Sequence, residues 1–204
     1  MAKIAIAVLS GRDHNPWFTK SLVELVVYLG HQKKHSFMTM FRGNVSNIAA
    51  GRQSVLDDAL TTDFTHLLFL DDDMAFPMDI LDSMLESGFP VTALNAAKKL
   101  PNHLSFSAVD LAGYECSSLG KSGCERVLRA GTGIMLIELN ALSEIPKPHF
   151  EQKYDILTGK FHGEDYYFCD KLNYYGVPIG VDHSASQGIG HIGDYNYGIT
   201  NGTR

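Results

Sequence analysis

Three adjacent carboxylates, Asp71, Asp72 and Asp73, follow directly on the apolar run Leu67 to Leu70 in "HLLFLDDDMAFP". Like charges this close repel one another, and a fold tolerates them when a cation compensates. Magnesium, manganese and calcium take oxygen ligands, and magnesium is commonly held by one or two carboxylates together with substrate phosphates. If the backbone stays extended, alternation sends Asp71 and Asp73 to one side and Asp72 to the other, which makes Asp71 with Asp73 the working pair. A solvated acidic loop before the next helix is the competing explanation. It accounts for Asp73 but gives no reason for a triplet placed directly after "LLFL".

Other residues could join such a site. Arg52 lies four residues from both Ile48 and Leu56, on or beside the apolar face of a predicted helix. There it needs a carboxylate or phosphate partner, or it must snorkel past the edge of the core. Glu164 and Asp165 in "HGEDYYF" sit at a helix start, where carboxylates answer the helix dipole in any protein. Asp165, however, shares a face with Phe168, Cys169 and Leu172, so it points inward, as a general base must. His191, between glycines in "GIGHIGDYNYG", could complete a metal site. His183 in "VDH" is a weaker candidate. Gly131 and Gly133 in "AGTGIML" lack the third glycine and the context of a dinucleotide fingerprint, and they read as a close approach of ligand to backbone or as a bulge.

Regular elements must position these groups. Lys3 to Leu9 reads as a strand, and Pro16 opens a helix with Phe18, Leu22, Leu25, Val26 and Leu29 inward and a stop at Gly30. "HSFMTMF" is a second strand. Ser46 or Asn47 caps a helix running to about Leu60, with Ile48, Val55, Leu56 and Ala59 on its buried face. "HLLFL" suits a parallel strand buried on both faces, "PMDILDSMLESG" a short helix, and "PVTAL" a fourth strand. From about Lys98 to Lys121 the pattern loosens into short antiparallel stretches. "ERVLRAGTGIMLIEL" restores strand character, "GEDYYFCDKLNYYG" is a helix and "VPIGVDH" a last strand. The glycine-rich tail from Ser184 reads as coil that gains order from packing or ligand. The expected class is α/β, with a mostly parallel central sheet, flanking helices and a small antiparallel part. Ligands of such sheets bind beyond the carboxyl ends of the strands, where the aspartates fall.

The 204 residues suit one domain. No window is apolar for long enough to span a membrane, and "MAKIAIAVLS" reads as a strand rather than a signal peptide. Three cysteines without a CxxC pair fit a reduced compartment, so a cytoplasmic location is expected. A formal net charge of -6 argues against holding nucleic acid by a global basic field.

Taken together, the chain resembles glycosyltransferases of the GT-A fold, of the family 2 type and its small bacterial and phage relatives. The resemblance runs through "LSGRDHNPWF", "AAGRQSVLDDAL", "THLLFLDDDMAFP", "AGTGIMLIE", "GEDYYFCDKL" and "VDHSASQGIGHIGDYNYG" in that order. It implies a nucleotide-sugar donor, commonly a UDP-sugar, bound with Mn2+ or Mg2+. It implies that Asp71 lies nearer the nucleotide, that Asp73 and His191 complete the metal site, and that Ser10 and Arg12 hold base and ribose. Arg52, Asp72 and Gly133 would face the donor, with residues 1–100 as its half of the domain. Residues 101–204, with a flexible tail, would serve the acceptor, and Asp165 beside Glu164 would be the base of an inverting transfer. The acceptor could be a glycan, a lipid, a protein or a modified DNA base, and oligomeric state is not readable.

Two rivals share some of these features. A haloacid dehalogenase-like phosphatase would use Asp71 as nucleophile and Asp73 as acid. Its signature closes the first core strand and continues into Gly-Thr, whereas here the motif closes the third strand and continues "MAFP". A non-catalytic nucleotide- or sugar-binding module would keep the fold and metal without turnover.

Overall fold

A computed structural model describes residues 1–11, 14–43, 45–100, 103–156, 159–193 and 196–198. The first half alternates strand and helix: β1 (Lys3–Leu9), α1 (Pro16–Gln32), β2 (Ser36–Arg42), α2 (Ile48–Leu60), β3 (His66–Asp71), β4 (Met74–Ala75), α3 (Ile80–Glu86) and β5 (Val91–Ala93). After a long irregular excursion come β6 (Cys124–Val127), β7 (Ile134–Glu138), a 3-10 turn (Leu139–Leu142), β8 (Lys153–Asp155) and β9 (Lys160–His162). The chain then forms α4 (Glu164–Tyr174), β10 (Ile179–Asp182), the single turn α5 (His183–Ser186), β11 (Gly190–Ile192) and β12 (Asn196–Gly198).

The main sheet has seven strands in the order β2-β1-β3-β7-β5-β10-β6. β1 pairs parallel with β2 and β3, and β5 parallel with β10. β7 runs antiparallel between β3 and β5, and β6 antiparallel on β10. The carboxyl ends of β2, β1, β3, β5 and β10 therefore share one edge. Side-chain alternation supplies a core on each face. Ala5, Ala7, Leu67 and Phe69 pack with residues of α2 and α4, such as Val55, Leu56, Phe168 and Leu172. Ile4, Ile6, Val8, Leu68 and Leu70 pack on the other face with Phe18, Leu25, Ile80 and Met84 of α1 and α3. Among the described residues no helix is long and apolar enough to cross a membrane.

Caps fix where the helices begin. Asn15 accepts from the Trp17 N–H ahead of Pro16, and Asn47 accepts from the Ala50 N–H at the start of α2. Gly51 is required by close approach, because a Cβ there would lie 2.7 Å from Val45 and 2.9 Å from Leu9. Its smallness lets α2 settle against the end of β1, which brings Arg52 over the sheet.

Local differences from the sequence reading have physical reasons. α1 runs through Gly30 to Gln32, and the chain turns at Lys33 in the left-handed region, whose N–H still bonds Leu29. Ile48, at the first turn of α2, is 38% exposed rather than inward. The glycine-rich tail is not simply coil, because β11 pairs with β4 and β12 pairs with β11. The edge of Met74–Ala75, just beyond the aspartates, provides the pairing partner.

Candidate active site

β3 ends on Asp71, whose N–H donates to the Gly133 carbonyl at 2.8 Å. The chain then turns through Asp72 and Asp73 before β4 instead of staying extended, so a turn and not strand alternation separates the three carboxylates. Asp72 faces the start of α1: its Oδ2 lies 4.0 Å from His14 Nδ1, and its carbonyl accepts from the Asn15 N–H.

Arg52 does not snorkel. It is 3% exposed, donating from Nη2 to Asp71 Oδ1 at 2.6 Å and from Nη1 to Glu164. Burial opposes its charge, but Asp71 and Glu164 outweigh that and hold the guanidinium protonated. Asp71 itself is pushed up by burial, with Arg52 pulling the other way.

Asp73 is met by two cations or potential cations. Lys99 Nζ lies 2.5 Å from its Oδ2, and His191 Nε2 lies 3.4 Å from the same oxygen. Burial would raise this carboxyl, but His191 and Lys99 bring it down to about 2. Its Oδ1 is buried without a partner among the described residues. His191 Nδ1 lies 2.9 Å from the Ala97 carbonyl, which can only accept, so Nδ1 carries a proton. Nε2 is therefore the ring nitrogen turned toward the Asp73 carboxylate.

At the start of α4, Glu164 is buried and Asp165 half-buried. Asp165 Oδ1 accepts from the Tyr166 N–H at 2.7 Å. Burial raises the Asp165 carboxyl and the Glu164 charge adds to it, which makes it a stronger base than an ordinary aspartate. A Cβ on Gly163 would fall 2.6 Å from Asp165 Oδ1, so the bare glycine leaves the carboxylate its position. A cleft of about 260 Å³ gathers Arg52, Asp71, Gly133, Glu164, Asp165 and His191. A second cleft, lined by Arg129, Lys160, Phe161 and Tyr166, adjoins it and shares Lys98, Ser107 and Asp165.

The structure thus brings most of the expected residues to one sheet edge. Ser10, just after β1, is buried with an Oγ that has no partner among the described residues, and it does not line the cleft. Arg12 lies outside the described residues. Among the described residues, Asp71, Asp73 and His191 do not converge as one three-ligand cluster in this conformation, since Arg52 holds Asp71. Lys99 was not singled out by sequence. Its only signal is the pair Lys98–Lys99 shortly after β5.

No protein-family model matches the sequence, and no curated protein does. Similarity appears in three dimensions. The crystal structure of A197 from STIV matches with a TM-score of 0.62 at 19% identity, over 94% of this chain and 86% of that one. A Drosophila β-1,4-galactosyltransferase 7 mutant in complex with manganese, UDP-Gal and xylobiose matches at 0.55 and 13% identity, over 93% of this chain and 71% of that one. The fold is GT-A. GalNAc-T7 with UDP, GalNAc and Mn2+ matches this GT-A chain at 0.51 and 12% identity, over 96% of it and 43% of that chain. In the GT-A chain the carboxyl edge carries Asp71, Gly133 stands just before β7, which lies between β3 and β5, and α4 presents Glu164 and Asp165.

Proposed function

We propose that the chain is a metal-dependent glycosyltransferase that moves a sugar from a nucleotide-diphosphate sugar, a UDP-sugar by analogy, to an acceptor hydroxyl with inversion. The observation that carries the reading is the position of Asp165, a raised-pKa carboxylate at the junction of two clefts, one of which also holds Asp71 and His191. The GT-A fold supports it, as do the neighbours complexed with Mn2+ and with UDP-Gal or UDP.

The residues fit a hard divalent ion. Asp73 offers a buried oxygen without a partner, and His191 presents Nε2 beside it. Asp73 and His191 would hold Mn2+ or Mg2+, with Asp71 nearer the nucleotide. When bound, the ion neutralises charge growing on the departing diphosphate. Lys99, now on Asp73, would give way to the ion there. Arg52 fixes the Asp71 and Glu164 carboxylates in place instead of facing the donor alone. Asp165 removes the proton of the acceptor hydroxyl as that oxygen attacks the anomeric carbon, and a single displacement inverts the centre. Ser10 and Arg12 remain assigned to base and ribose, Asp72 and Gly133 to the donor side. Residues 1–100 form the donor half and 101–204 the acceptor half.

Transfer from labelled UDP-sugars by the full chain and by Asp165→Asn tests the reading. The variant loses turnover while keeping donor affinity; equal donor hydrolysis and transfer by both proteins contradicts the base assignment.

A further inference from the structure

Away from the cleft, the excursion between β5 and β6 closes on the end of β10. Cys116, Glu125 and His183 meet there, and one ligand atom of each lies within 4.8 Å of the others. Cys116 and His183 are buried, and Glu125 reaches in from the β6 edge. Among the described residues this is the one group of three such side chains that converges. His183 Nε2 is 2.9 Å from Glu125 Oε2, and His183 Nδ1 is 2.7 Å from Ser118 Oγ.

A cation already touches two of the three. Lys121 Nζ lies 2.7 Å from Glu125 Oε2 and 3.7 Å from Cys116 Sγ, so its ammonium bridges carboxylate and sulfur. A nucleophilic thiol would need a free base, but both nitrogens of His183 are engaged. The cluster is therefore built around positive charge, not around an activated sulfur. Its donors are a sulfur, an imidazole and a carboxylate, the set that suits a borderline-soft ion.

We infer that Cys116, Glu125 and His183 form a Zn2+ site in which the metal displaces Lys121 and the thiol proton. Zinc bonds of about 2.3 Å to sulfur and about 2.0–2.2 Å to nitrogen or oxygen place tetrahedral ligand atoms roughly 3.3–3.7 Å apart. The present separations, all within 4.8 Å, lie close to that, and His183 Nε2 to Glu125 Oε2 is already 2.9 Å. Ser118 Oγ already accepts from Asn95 Nδ2 at 2.9 Å, and its second lone pair can accept from His183 Nδ1–H, which frees Nε2 for the metal. Water fills the fourth position.

The site would brace the excursion. Asn95 also donates to the Cys116 carbonyl at 2.6 Å and accepts from the Ala108 N–H at 2.9 Å. That second bond fixes the stretch next to Ser107, which lines both clefts beside Asp165. The inference stands apart from the reading of the cleft, since no residue of the cluster lines it.

Cobalt(II) titrated into the metal-stripped full chain tests it, because a thiolate ligand gives a sulfur-to-cobalt charge-transfer absorption that carboxylates and imidazoles cannot give. One equivalent is expected to produce the band, and zinc to abolish it. Cys116→Ser removes the band. Glu125→Gln, on a half-exposed side chain, weakens binding. Lys121→Met tightens it, because the competing ammonium is gone. His191→Gln, which alters the other site, leaves the band intact. Absence of the band, its survival in Cys116→Ser, or unchanged or weaker binding in Lys121→Met overturns the site.

Discussion

The guanidinium of Arg52 donates to the carboxylate of Glu164, 112 residues further along the chain, in a setting where both side chains are almost wholly buried. Through its other nitrogen Arg52 also holds Asp71, so one cation couples α2, β3 and α4. This triad makes the spacing of the cleft a property of the fold.

Removing Arg52 leaves the buried Glu164 and the half-buried Asp71 carboxylates without compensation. Arg52→Met should destabilise the fold by about 3–5 kcal/mol, as breaking a buried pair does. Urea denaturation of the variant measures it. The double change Arg52→Met with Glu164→Gln should recover part of the loss, because one of the stranded charges is then gone.

Asp165 and its neighbour Gly163 make a paired test of geometry. Asp165→Asn should cut turnover by on the order of 10²–10⁴-fold, the range for a lost general base, with donor affinity preserved. Gly163→Ala should also lower turnover, because its Cβ would sit 2.6 Å from Asp165 Oδ1 and turn the carboxylate away. Its melting temperature should stay close to that of the parent, since Gly163 contributes no side-chain cap to α4. Steady-state kinetics beside thermal melts separates the two effects.

Much of this arrangement was legible in the sequence. β1 and β3 announced themselves as continuous apolar runs, α2 through Asn47 and its helical spacing, and α4 through the inward face of Asp165, Phe168, Cys169 and Leu172. What stayed hidden depends on distant pairing. Nothing local says that β7 slots antiparallel between β3 and β5. The excursion after β5 is held by isolated antiparallel bridges such as Ala97 to Phe106 and Val109 to Arg129, whose antiparallel character was legible but whose partners were not. Sequence could place Arg52 at the edge of the core but could not choose between partner and solvent. Lys99, in a stretch without periodicity, gave no sign of its contact with Asp73.

Thiol reactivity should follow burial. Cys124 is exposed, whereas Cys116 and Cys169 are buried, and burial pushes the Cys169 thiol up to about 12. A disulfide reagent should titrate one thiol in the native chain near pH 8 and three in denaturant. Rapid native modification of Cys169 would contradict the packing of α4 on the sheet.

Stability should fall on the acid side partly through His149. Burial, with Lys171 adding to it, lowers its pKa from 6.5, while Asp57 opposes. Above 6.5 the ring is neutral in both states and contributes no pH dependence. Below it the unfolded chain takes up a proton that the folded chain resists, so stability drops from about pH 7 toward pH 5. His66 shifts the same way, so His149→Asn should flatten the slope only in part. Urea midpoints of both proteins across that range give the difference.

The central claim is that the carboxyl edge around Asp71, Asp73 and His191 binds a nucleotide-sugar together with a divalent metal. Thermal melts of the full chain against a panel of nucleotide sugars, each with and without manganese, test it most directly. At least one donor should raise the melting temperature, only when manganese is present, and that shift should vanish in Asp73→Asn. No manganese-dependent stabilisation by any nucleotide sugar would contradict the account.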